Sequence, residues 1–97
     1  MPSSRSERPH AAPPPTERPR GMDTALTAVD RLSDRELQVF LRLPTGDSNR
    51  EIARSLGITE RTVRFHVAAI LQKLALRSRV EAAVVAYAHR GMAALPR

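Results

Sequence analysis

The chain has 97 residues, no cysteine, and 16 Lys or Arg against 10 Asp or Glu, a formal charge of +6. That length allows one small domain, which leaves little room to wall off a buried catalytic pocket, and the missing cysteines exclude a disulfide framework and any thiolate metal site. No apolar run approaches the roughly 20 residues a membrane-spanning helix needs, and the N-terminus lacks the apolar core of a signal peptide, so a cytoplasmic protein with no membrane partner is expected.

The charge is unevenly spread. Residues 1–22 carry four Arg and two Glu, residues 23–57 five Arg and six acids, and residues 58–97 seven Lys or Arg with only Glu60 and Glu81. The excess lies in the first segment and in the C-terminal half, which points to phosphate or an acidic surface as the partner. A generally basic composition with no such partner is the plain alternative.

The opening stretch, MPSSRSERPHAAPPPTERPRG, holds Pro2, Pro9, Pro13, Pro14, Pro15 and Pro19 and has no large apolar residue after Met1. Such a segment buries too little surface to offset its ordering entropy, so residues 1–22 are expected to form a disordered or polyproline-like tail. Met22 is a second candidate start, and the patterned domain is expected over 23–97.

From there the apolar spacing is three and four, which predicts an all-α domain. Asp23 is a candidate cap for a short turn through Leu26 and Val29. Ser33 with Glu36 forms a capping box ahead of the stripe Leu37, Phe40 and Leu41, and this first helix is expected to stop near Leu43, since Pro44 disfavours helical geometry in the residue before it. Thr45, Gly46 and Asp47 follow as a loop. Ser48 with Glu51 repeats the capping box and opens a second helix with Ile52, Ala53 and Leu56 inward, and Gly57 suits its left-handed C-cap. Thr59 caps a third helix over about 60–74. After a loop through Ala75, Leu76 and Arg77, Ser78 with Glu81 form a third capping box for a last helix, about 78–90, ending at Gly91.

The second and third helices, joined by the turn Gly57 to Thr59, have the helix-turn-helix arrangement, whose second helix enters the DNA major groove. At 100° per residue, Arg64, Phe65, Ala68 and Gln72 fall within about 60° of Arg61, while Val63, Val67, Ile70 and Leu74 fall opposite. The spare face thus carries two guanidiniums, a ring, a methyl and an amide. Arg61 and Arg64 suit guanine O6 and N7 or phosphate oxygens, and an apolar group suits a thymine methyl. The first-turn N–H groups, with the Thr59 and Thr62 hydroxyls, suit a backbone phosphate, and Asn49 and Arg50 start the helix that crosses the backbone in such a pair. The plain alternatives are solvated arginines, a Phe65 that covers a gap beside the neighbouring helix or a second subunit, and a packed, hydrogen-bonded His66. His10, His66 and His89 lack metal-ligand spacing and no nucleophile–base pair is evident, so no enzyme activity, metal or cofactor is expected.

The last helix has two apolar sides. Val80, Ala83, Val84 and Tyr87 share one; Ala82, Val85 and Ala86 form the other. Two apolar sides need two partners; the domain's own core and the same helix of a second chain in a twofold contact are expected, the plain alternative being a helix sunk deep in a single core, for which a domain of this size hardly has room.

These residues resemble the LuxR-type, or GerE-type, DNA-binding domain of bacterial transcriptional regulators. LSDRELQVF is similar to LTxREREVL, GDSNREIARSLGIT to GxSNKEIAxxLxIS, and ERTVRFHVAAILQKLALRSRVEAA to xxTVKxHVxxIxxKLxVxSRxEA, over about residues 31–90. The resemblance implies a four-helix fold in which the third helix reads DNA and the fourth commonly dimerises. It implies that Arg64, Phe65 and Ala68 face the groove, and that Asn49, Thr62 and Lys73 lie at positions that contact the DNA backbone or place the helix pair. Two departures stand out: Ala68 replaces a basic or polar residue of several members, shifting readout toward Gln72, and Pro44 with Asp47 alter the loop before the second helix. The regulatory domain usual in the family is not evident in the sequence, so a stand-alone regulator or an excised effector domain is expected.

The expected function is sequence-specific binding of a pseudo-palindromic double-stranded DNA site by a homodimer, to regulate transcription. The alternative keeps the fold and changes the partner: an interaction module that pairs with and titrates another regulator or contacts RNA polymerase. A promoter-reading sigma-factor domain is a further rival, disfavoured by RFHV and by the self-pairing last helix.

Overall fold

The computed structural model describes residues 21–94, with side chains described through Met92. The expected tail, apart from Gly21 and Met22, lies outside the described residues, as does His10. Five α-helices follow in order: α1 (Met22–Ala28), α2 (Asp34–Phe40), α3 (Asn49–Leu56), α4 (Glu60–Leu74) and α5 (Arg79–Ala94), with single 3-10 turns at Val29–Arg31 and Leu43–Thr45. No strand occurs among the described residues. The four helices expected from the family resemblance are α2 to α5. To these α1 is added, and it is integral to the fold: Met22, Ala25 and Val29 are all buried.

The core lies where α4 packs against α2 and α3 and where α5 closes over the Leu43–Thr45 turn. Phe40, Ile52, Ile70, Leu74, Val39 and Val63 are its largest fully buried side chains. Each such burial is worth about 1.5–3 kcal/mol relative to exposure, which is what holds short helices that would not persist alone.

Local chemistry sets most helix ends. Ser33 Oγ accepts from Glu36 N–H at 3.2 Å while Ser33 N–H donates to Glu36 Oε1 at 2.9 Å, and Ser48 and Glu51 repeat the reciprocal pair at 3.1 and 2.7 Å. Helix α1 differs from expectation in having Gly21, not Asp23, at its N-cap. Three further expectations are corrected. Helix α2 stops at Phe40 rather than near Leu43: a continued helix would set the Pro44 ring against the Phe40 carbonyl and leave that carbonyl without a donor, so the chain tightens into the 3-10 turn that contains Pro44. The third capping box is only half formed. Glu81 N–H donates to Ser78 Oγ at 3.1 Å, but the Glu81 carboxylate accepts from Arg77 N–H at 2.8 Å, one residue upstream of the expected donor. Gly91 does not end α5, which runs through it to Ala94; glycine inside a helix costs about 1 kcal/mol but does not forbid it.

Among the described residues one non-glycine adopts the left-handed region, Ala75 at φ 56°. It closes α4, with Leu76 N–H donating to the Leu71 carbonyl at 2.9 Å and Ala75 N–H to Gln72 at 3.2 Å. That bond pair is the glycine-type helix ending, made here at the steric cost of a Cβ.

Candidate nucleic-acid interface

The joint between α3 and α4 is built by hydrogen bonds from both sides. Gly57 takes the left-handed conformation at φ 69°, ψ 36°, and its N–H donates to the Ala53 carbonyl; Ile58 N–H donates to the same carbonyl at 3.0 Å. Thr59 then caps α4, its Oγ1 accepting from Thr62 N–H at 3.0 Å and donating to Thr62 Oγ1 at 2.9 Å. From behind, Arg35 of α2 donates to the Leu56 carbonyl at 3.2 Å and to Gln38 Oε1 at 3.0 Å. The local bonds were legible in the sequence; the Arg35 contact, which spans 21 residues, was not.

Helix α4 divides as its spacing predicts. Val63 and Ile70 are fully buried and Leu74 nearly so, with Val67 half-buried, while Arg61, Arg64, Phe65, Ala68 and Gln72 are exposed. Phe65 is 71 % exposed, so the domain forgoes the roughly 1.5–3 kcal/mol that burying it would supply. Its ring makes a T-shaped contact with that of His66, with centroids 6.2 Å apart. Neither Arg61 nor Arg64 forms an ion pair among the described residues. The expectation that His66 is hydrogen-bonded is corrected in part: its Nδ1 is buried without a partner, as is Nδ1 of His89, whose ring packs edge-on against Phe40.

The remaining candidates lie around this face. Thr62 is half-buried beside its cap. Lys73 is engaged at the back of α4: its Nζ stands 2.7 Å from Glu36 Oε1 and 3.5 Å from the Arg31 carbonyl. Glu36, with a side chain only 10 % exposed, is the one buried charged residue among those described. Burial pushes its carboxyl upward, but the hydrogen bond from Lys73, the Ser33 N–H and the Lys73 charge together outweigh burial and hold it below its ordinary 4.5. The role of Glu36 beyond capping escaped the sequence reading, although its spacing of four to Phe40 and seven to Leu43 puts it on the inward stripe. Glu51, which makes the equivalent box in the open, is also held low, by the Ser48 N–H first.

Asn49, the first residue of α3, has a partner that the sequence reading did not foresee. Arg79, the first residue of α5, donates through Nη1 to Asn49 Oδ1 and through Nη2 to the Asp47 carbonyl at 2.9 Å. Asp47 in turn lies 3.5 Å from Arg42. One guanidinium thus ties the start of α5 to the start of α3.

The two sides of α5 separate cleanly. Ala82, Val85 and Ala86 are buried in the core, whereas Val80 is 72 %, Val84 51 % and Tyr87 71 % exposed, with Ala83 half-buried between the sides. Met92 extends the exposed apolar residues at 53 %, a position that falls beyond the helix end expected from Gly91. Among the described residues no three metal-capable side chains cluster, and no helix is long and apolar enough to cross a membrane.

Comparison with known proteins identifies the family. The chain is 46% identical over 57 residues to a nitrate/nitrite response regulator protein homolog of Haemophilus influenzae, covering 59% of this chain and 27% of that protein. It is 45% identical over 60 residues to the nitrate/nitrite response regulator protein NarP of Escherichia coli, covering 62% and 28%. It is 49% identical over 53 residues to the transcriptional regulatory protein LnrK of Bacillus subtilis, covering 55% and 24%. The chain thus spans about a quarter of the length of these curated relatives. Residues 30–86, more than half of the chain and the span from the Val29–Arg31 turn into α5, match the family GerE, bacterial regulatory proteins, luxR family. The chain therefore belongs to the luxR family of bacterial regulatory proteins, a family of helix-turn-helix DNA-binding transcription regulators and not a class of enzymes.

Proposed function

We propose that this domain regulates transcription in the cytoplasm by reading a specific double-stranded DNA sequence with α4 in the major groove. The single observation that carries the reading is the exposed face of α4: a 71 % exposed phenylalanine next to Arg64 and one turn from Arg61, each of the two arginines free of ion pairs among the described residues. Arg64 and Arg61 donate to guanine edges or phosphates, Phe65 packs against a thymine methyl, Ala68 allows close approach, and Gln72 reads or supports the far end. Asn49 and Thr62 serve the DNA backbone, and Lys73, engaged with Glu36, sets the seating of α4 on α2.

On this reading α5 is the homodimer contact. Val80, Val84 and Tyr87 pair with their twofold mates, with Ala83 at the margin, so that two copies of α4 meet the half-sites of a pseudo-palindrome. The relatives named as response regulators support a regulatory role for the protein that carries this domain.

Selection of binding sites from random DNA, followed by titration of the selected duplex, tests the proposal. The selected site should be two inverted half-sites, and affinity should fall by about 10³-fold or more between 50 and 200 mM salt, as phosphate-driven binding requires. Recovery of no sequence, with salt-insensitive retention, would overturn it. If instead no duplex is retained but another regulator or polymerase subunit is bound through α5, the domain is the interaction module.

A further inference from the structure

We propose that Arg79 is a positioning residue for DNA binding: it takes the single acceptor atom of the Asn49 side chain and thereby turns the Asn49 amide nitrogen outward as a donor to one DNA phosphate. The inference rests on the reading of α3 and α4 given above and adds to it an atom, an orientation and the residue that sets it.

The orientation follows from chemistry. A guanidinium has five N–H donors and no acceptor, so only Oδ1 of Asn49 can face it. Arg79 Nη1 donates to that oxygen, while Nη2 donates to the Asp47 carbonyl at 2.9 Å. Two acceptors two residues apart in the sequence fix the plane of the guanidinium, and Arg79 itself is fixed at its root, because the first turns of α5 are seated through Ala82, Val85 and Ala86, all buried. The amide nitrogen of Asn49 has no hydrogen-bond partner among the described residues. It is also not sealed off, since the only buried unpartnered side-chain nitrogens or oxygens described are Nδ1 of His66 and of His89.

A carboxamide free to rotate in water presents its acceptor and its donor alike, and has to be ordered with the nitrogen forward when a phosphate arrives. With the oxygen held inward, Asn49 becomes a donor only, the polarity an anionic phosphate oxygen requires. Arg79 never needs to touch DNA to have this effect. A lysine at the same position keeps the charge but presents one ammonium, which cannot span both acceptors in a fixed plane.

The experiment uses the full chain and the duplex recovered by site selection, with each phosphate of one half-site replaced in turn by a neutral methylphosphonate. In the unchanged protein one replacement should weaken binding by about tenfold, the size of a hydrogen bond to a charged group. That same replacement should cost less than about twofold in Asn49→Ala and in Arg79→Gln, because the donor is then already lost or misdirected, while the other phosphates keep their effects. Arg79→Lys should fall between. A map in either Asn49→Ala or Arg79→Gln identical to that of the unchanged protein would overturn the proposal, since a merely structural Arg79 lowers stability without silencing one phosphate. Should Arg79→Gln fail to fold by thermal melting, Arg79→Lys and Asn49→Ala carry the same comparison. Arg64→Ala on the same duplex reports separately on the reading of α4, so the two can fail independently.

Discussion

The outer face of α4 and the outer face of α5 both leave large apolar side chains in water, yet they are opposite in kind. On α4 one ring stands alone among two arginines, an alanine and a glutamine; on α5 Val80, Val84 and Tyr87 follow one another at helical spacing, with Glu81 to one side and paired with Arg77. A single apolar group inside a cationic surface suits a polyanion that carries occasional methyl groups, as the DNA major groove does. A continuous apolar stripe suits another stripe. On the proposed reading, exposed apolar surface marks where a partner docks, and the residues around it set the partner's chemistry.

The comparison can be broken most forcefully on α5. Val84→Glu places like charges opposite each other in a twofold contact, which costs several kcal/mol, so self-association measured by sedimentation should weaken by about 100-fold or more. Affinity for the two-half-site duplex should fall with it, while a single half-site binds as before; equal loss on both duplexes would mean that the two faces are one surface.

On α4, Arg64→Ala should cost about 1–3 kcal/mol on the selected duplex and much less on random DNA, with self-association unchanged. Titration of both duplexes by fluorescence anisotropy distinguishes that from a uniform electrostatic loss.

The back of α4 gives a smaller effect. Glu36→Gln should lower stability at pH 7 by about 1.5 kcal/mol, because Lys73 loses its charged acceptor and its head is partly solvated. The pH dependence has a definite sign. Since the Glu36 carboxyl is held below its ordinary 4.5 in the folded domain, its contribution is complete above that value and is lost as pH falls through the lower, folded value. Melting curves from pH 7 to pH 3 should therefore fall less steeply for Glu36→Gln than for the unchanged protein; parallel curves would remove Glu36 from the account.

The smallest change is Ala75→Gly. Relief of the left-handed Cβ, offset by the entropy of glycine, should raise stability by about 0.5–1 kcal/mol, read as a higher melting temperature with DNA affinity and self-association both unaltered.

What could be read from the sequence was set by bonds that close within about five residues. The caps at Ser33, Ser48 and Thr59, the left-handed Gly57 and the division of α4 all depend on such bonds or on helical phase alone. What could not be read depends on partners brought together by the tertiary fold. Lys73 and Glu36 are 37 residues apart and Arg79 and Asn49 are 30, and no local pattern shows that a lysine near the end of one helix will reach the capping glutamate of another. Ser78 fails in an instructive way: its motif matches a capping box, but the Arg77 N–H lies within reach of Glu81 and takes the carboxylate instead. Gly91 fails because a glycine ends a helix only when the chain beyond must turn.

The Ala53 carbonyl, which accepts from both Gly57 and Ile58, gives the exposed turn an unexpected property in time. Amides in a surface turn ordinarily exchange their hydrogens freely, but these two are bonded to the body of α3 and open only when its last turn frays. These bonds tie the joint to α3, so on the proposed reading α4 meets DNA with its angle to α3 already set, and slow hydrogen exchange at Gly57 and Ile58 in the DNA-free protein is the expected sign.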